Sequence, residues 1–181
     1  MRRSRFGAVM VAAVIGLPMA ASSASAQCTA SGAPANCGLP GTVSMTAGRV
    51  VRLQMSAVST PLTAPVPADF DAGFNATTGP TLTVSSNAAW TLHIRAAAAT
   101  WTATNTSPGA PARTNKPAAD LKWSTASNGS FAALTASDVN LVTGAATASS
   151  ATTLYFQTLY SWTLDTPGNY SMAIILTLTS P

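Results

Sequence analysis

Few residues in this chain are equipped for chemistry. Its 181 residues hold one histidine, His93, five aspartates and no glutamate. Acid–base or nucleophilic catalysis through an imidazole needs a partner that fixes its tautomer and tunes its pKa. No spacing singles out Asp69, Asp71, Asp120, Asp138 or Asp165 for that role. His93 lies between Leu92 and Ile94, out of phase with the apolar residues of an alternating stretch, as a solvent-facing strand residue does. A zinc centre needs three or four Cys, His or carboxylate ligands, more than one histidine and a cysteine pair supply. Asp69-Phe70-Asp71 with Asn75 nearby offers oxygen ligands of the kind calcium takes, without the EF-hand spacing or its terminal glutamate. Calcium at Asp69 and Asp71 is left open. The expectation is a non-enzymatic protein with no catalytic residue, no metal and no cofactor.

The two cysteines, Cys28 and Cys37, are close in sequence and even in number. In an exported chain they read as one disulfide. Export is indicated by the start: Met1-Arg2-Arg3-Ser4-Arg5, an apolar run over residues 6–21, then small residues at Ala24 and Ala26. This is the pattern of a secretory signal peptide, with cleavage expected after Ala26. The apolar run is short and broken by Gly16 and Pro18, so no membrane span is expected after signal removal. The formal charge of +4 falls to +1 once Arg2, Arg3 and Arg5 are gone, with six bases left against five aspartates. A basic surface for nucleic acid is not supported. The expected location is extracytoplasmic: secreted, cell surface or periplasm.

The elements that would position these residues are strands. Thr, Ser and Asn carry the polarity, and such residues suit pleated sheets and turns more than helices. Residues 27–48 are expected to be an irregular segment clipped by the disulfide, and 49–181 a single domain. Strand-like alternation runs through Val51, Leu53, Met55 and Ala57, then Leu82 and Val84, then Trp90, Leu92 and Ile94. Residues 60–80, rich in Pro and Gly, are expected to be mostly loop, with Phe70 and Phe74 plugging the core edge. Residues 97–104 form a further candidate strand and 105–118 a loop. Asn128-Gly129 predicts a two-residue hairpin between strands at Leu121 and Phe131. Residues 138–143 read as a short strand and 145–152 as a loop or weak edge. Leu154, Phe156, Tyr160, Trp162 and Leu164 share one phase. After a turn at residues 165–169, Tyr170 to Leu178 share another. The result is an all-β fold, an immunoglobulin-like two-sheet β-sandwich of about eight short strands, with a jelly roll as the alternative.

Trp90-Thr91-Leu92 and Trp162-Thr163-Leu164 repeat a Trp-x-Leu pair. In this the chain resembles the WxL-domain family of Gram-positive surface proteins, all-β modules that associate non-covalently with the cell wall. The resemblance implies Trp90, Leu92, Trp162 and Leu164 as motif positions and the cell wall as partner. The ending, Pro167-Gly168-Asn169-Tyr170 through Leu178, is similar to the last strand of spore-coat-U-like proteins and chaperone–usher pilins. That similarity implies subunits that donate a strand to a neighbour.

The expected function is therefore a structural or adhesive protein of a bacterial surface, partnered by the cell wall, other surface proteins or itself. A carbohydrate- or small-ligand-binding module is the alternative. Trp101, set among Thr100, Thr102 and Thr104, is the residue expected to be exposed for such a contact.

Overall fold

The computed structural model describes residues 27–39, 41–106 and 111–181. The expected signal peptide, 1–26, lies outside the described residues. The chain divides into two units, Met1–Thr46 and Ala47–Pro181. In the first, residues 27–39 and 41–46 contain no strand or helix. Cys28 and Cys37 form the expected disulfide, their Cα atoms 5.8 Å apart.

The second unit is all-β. Its strands are β1 (Val51–Met55), β2 (Phe74–Ser86), β3 (Trp90–Ala96), β4 (Thr102–Thr104), β5 (Leu121–Ser124), β6 (Ala132–Ala133), β7 (Val139–Gly144), β8 (Thr147–Leu159), β9 (Asn169–Ser171) and β10 (Ile174–Thr179). A single helical turn, α1 (Pro67–Ala72), precedes β2. One antiparallel sheet has the order β1-β2-β8-β5-β6 and the other β10-β3-β7; β4 and β9 form a separate ribbon.

Period-two alternation explains how the two main sheets share one core. Leu82 and Val84 from β2, Leu154 and Phe156 from β8, and Leu121 and Trp123 from β5 face Trp90, Leu92, Ile94 and Ala96 from β3. Between the latter, Thr91, His93 and Arg95 are only half-buried. Each large side chain moved from water into this core stabilises by roughly 1.5–3 kcal/mol. Trp90 also satisfies its indole, donating from Nε1 to Ala145 O at 2.8 Å. Trp123 Nε1 is buried with no hydrogen-bond partner, a cost of about 1–3 kcal/mol that its burial must offset.

Several expectations are corrected. There are ten strands among the described residues, not about eight. Of residues 60–80, expected to be mostly loop, only 60–66 lack regular structure. Pro67 opens α1, the Asp69 carboxylate accepts from Val66 N at 2.8 Å, and Gly73 closes the turn with φ 79°. From Phe74 the chain is strand throughout, because a register shift between Thr78 and Thr81 absorbs Gly79 and Pro80. Such bulges are where a sheet tolerates Pro and Gly. Residues 147–152 are likewise strand, paired with Leu82 to Ser86 of β2. Residues 97–101 are not part of a strand. The β5–β6 hairpin has a longer loop, tightened by Gly129 N donating to Ala126 O at 3.2 Å. The final strand is two: β9 pairs with β4, and β10 with β3. The last expected phase also breaks, since β8 stops at Leu159 and residues 161–165 turn.

Gly144 stands opposite Trp90 in the β3–β7 register, and a Cβ there would run into the Trp90 indole. Gly144→Ala should destabilise the domain by about 1–3 kcal/mol through overpacking. Chemical denaturation measures this, and an unchanged midpoint would contradict the placement.

Candidate functional site

Three features converge where β8 ends. The first is an ionic cluster. Residues 99–101 are tied to 116–118 by Trp101 N donating to Lys116 O and Ala118 N to Ala99 O, both at 2.8 Å. That pairing fixes the Lys116 backbone and sends its side chain inward, where it is only 2% exposed. Its ammonium has three acceptors: Asp165 Oδ1 at 2.8 Å, Leu159 O at 2.8 Å and Asp120 Oδ2 at 3.3 Å. Three acceptors match the three donors of a charged lysine. Arg113 donates to the same two carboxylates, at 3.1 Å to Asp165 and 3.2 Å to Asp120. Two cations against two carboxylates leave the cluster neutral. Asp165 Oδ2 also accepts from Ser161 N at 2.8 Å and so closes its own turn.

The second feature is aromatic. The Lys116 ammonium lies 5.9 Å from the Trp101 ring centroid and 5.5 Å from that of Tyr160. Phe70, carried by α1, sits 5.4 Å from Tyr160 and stacks on Trp162 at 4.6 Å with an interplanar angle of 28°. The Trp162 indole donates to Asp71 Oδ1 at 3.0 Å. These rings, with Lys116, Asp165 and residues 62–65 and 166–170, line an open cavity of about 590 Å³. Burial raises the Tyr160 phenol above its ordinary value of 10.0; the charges of Asp69 and Asp165 add to this, and a hydrogen bond with Thr158 opposes it.

The third feature is an open seam. β1 has no partner beyond β2, and β10 has none beyond β3, among the described residues. The two free edges lie beside one another. Between them runs a cleft of about 770 Å³ lined by Leu53, Met55, Leu62, Trp101, Ile174 and Leu176.

These placements sort the residues singled out in the sequence. Trp90 and Leu92 are buried in β3. Trp162 and Leu164 do not share their setting: both lie in the turn after β8 and are 60% and 54% exposed. Trp101 is not exposed, as its threonine neighbours suggested. It is buried, and its indole donates to Pro117 O at 3.1 Å. Asp69 and Asp71 have diverged, one capping α1 and holding Asn75, the other holding Trp162. No group of three His, Cys, Asp or Glu side chains suited to a metal occurs among the described residues. His93 is a strand residue opposite Thr177 and Asn140.

Hydrophobic alternation carries no trace of the ionic cluster. The cluster's one sequence signal is crowding: Arg113, Lys116 and Asp120 fall within eight residues of a chain otherwise poor in charge. No described helix is long and apolar enough to cross a membrane. Comparison with protein-family models and with curated proteins finds no match to this chain.

Removing one partner from a buried ion cluster leaves the other charge without compensation, at a cost of about 3–5 kcal/mol. Asp165→Ala should therefore lower unfolding stability by about that much, and a loss below 1 kcal/mol in denaturant titration would contradict the burial. The raised Tyr160 pKa has its own consequence. The folded state favours the neutral phenol, so its contribution is complete below about pH 10 and is lost as pH rises through the folded value. Stability measured across alkaline pH should fall, and Tyr160→Phe should flatten that fall. Equal slopes in the two proteins would refute the assignment.

Proposed function

We propose that this protein is a structural or adhesive component of a bacterial surface that assembles with copies of itself by strand addition at the open seam. The seam carries the reading. Unpaired strand edges are templates for another strand, and these two flank an apolar cleft continuous with the core. Main-chain hydrogen bonds would supply affinity, and alternate side chains entering the cleft would supply register.

The occupant is residues 41–47 of a second copy. Val43, Met45 and Ala47 alternate there with Thr42, Ser44 and Thr46. Val43 is 100% exposed and Met45 88%. Gly32, Pro34, Gly38 and Pro40, which suit a strand poorly, lie before this stretch, and Gly41 stands only at its first position. Burying each large side chain would contribute roughly 1.5–3 kcal/mol, less the entropy of ordering the segment. The main-chain hydrogen bonds of the added strand contribute the rest. The similarity of the final strand to strand-donating surface subunits agrees with this reading. A disulfide fits an oxidising, extracytoplasmic setting, and the signal-like start fits export.

Oxidised protein comprising residues 27–181 should sediment as concentration-dependent oligomers without added cell walls. Val43→Asp with Met45→Asp should raise the concentration needed by at least about tenfold. A chain that stays monomeric throughout would overturn the proposal. Pelleting only with cell walls would replace it with the wall-binding reading suggested by the Trp-x-Leu pairs.

A further inference from the structure

We infer that the cavity walled by Phe70, Tyr160 and Trp162 is a binding site for an alkylated ammonium group. Trp162 is the starting point. It is a large aromatic side chain left 60% exposed, yet it is held in place. One face stacks on Phe70 at 4.6 Å and its edge donates to Asp71 at 3.0 Å. With one face covered, the exposure belongs to the rest of the indole, and the ring is pre-positioned rather than free. Such fixed rings lower the entropic cost of binding.

Charge selects the ligand class. Lys116 and Asp165 line the cavity and pair with each other, with Arg113 and Asp120 bonded to them; Asp71 holds the Trp162 edge and Asp69 lies with Phe70 on α1. Both cations are committed to Asp120 and Asp165. Asp69 and Asp71 have no ion-pair partner among the described residues. The surroundings therefore carry two excess negative charges, which disfavour an anion and favour a cation.

The walls select among cations. A small metal ion must exchange its hydration shell for several oxygen ligands, and this cavity is lined chiefly by rings and aliphatic carbon. An alkylated ammonium gives up less hydration and is attracted by ring faces. The fold already uses this recognition internally, since the Lys116 ammonium lies within 6 Å of the Trp101 and Tyr160 centroids. The outer half of the cluster offers the same chemistry to a ligand. The inference is independent of strand addition at the seam.

The test is a choline titration of dilute, monomeric protein comprising residues 27–181, read by NMR at the indole N–H signals. The Trp162 signal should shift saturably while the buried Trp90 signal stays in place, which also reports an intact core. The uncharged tert-butyl analogue of choline should bind at least about tenfold more weakly, and Trp162→Ala should weaken choline by a similar factor. Asp71→Asn, which leaves the rings, should weaken choline without affecting the analogue. Co-sedimentation with phosphatidylcholine vesicles would identify a lipid headgroup as the source of the ligand. Binding of free choline alone would identify a soluble one. No saturable shift with choline, equal binding of the analogue, preference for methyl glucoside, or an unaffected Trp162→Ala variant would each overturn the inference.

Discussion

The Lys116 ammonium has to be neutralised and hydrogen-bonded inside the fold, and the surrounding architecture meets that demand. Desolvating a charge costs several kcal/mol, which only close partners of opposite sign recover. Asp165 and Asp120 provide them, and Leu159 O takes the remaining donor. The consequences spread outward. Holding Leu159 O marks the end of β8, and holding Asp165 sets the turn that follows. That turn lifts Trp162 out of the core phase and onto Phe70. Arg113 reaches the same carboxylates, and its backbone N–H donates to the Tyr170 hydroxyl, which donates in turn to Thr166 O. One buried charge thus ties together the 113–120 segment, the end of β8 and the approach to β9.

Those ties explain why this region was the least legible in the sequence. Alternation is a local signal, and it found the core of β3, with Trp90 and Leu92 inward, and most of β1 and β5. It also carried the phase of Leu154 and Phe156 on to Trp162 and Leu164. Nothing local marks the stop at Leu159, because the group that caps it comes from a residue 43 positions away. Gly79 and Pro80 misled in the opposite sense. They are loop residues by chemistry, and only the partner strand and its register shift make them part of β2. The run from Thr147 to Ala151 has small side chains and little periodic contrast, so its strand character comes from pairing rather than pattern.

Trp101 and Trp162 exchange their expected roles for the same reason. Threonines around Trp101 suggested an exposed face, yet the Thr100–Pro117 bridge folds the 116–118 segment over it. Leu and Tyr neighbours around Trp162 suggested a core, yet the turn carries it outward. Exposure in an irregular segment depends on what crosses over it, which periodicity does not encode. The candidate site was therefore visible mainly as composition: a charge-poor chain that places three of its charges within residues 113–120.

The seam follows from topology. The ten strands of the described residues, arranged as sheets of five and three with a ribbon of two, leave one edge each of β1 and β10 adjacent and unpaired over apolar side chains. In a chain otherwise able to bury its core, such an edge is a liability unless another strand covers it. Amide hydrogen exchange, compared below and above the assembly concentration, tests that claim most directly. Strand addition at the seam slows exchange at the free edges of β1 and β10 and within residues 41–47 and leaves the β7 edge unchanged. Unaltered exchange at β1 and β10, or protection confined to other strands, would contradict it.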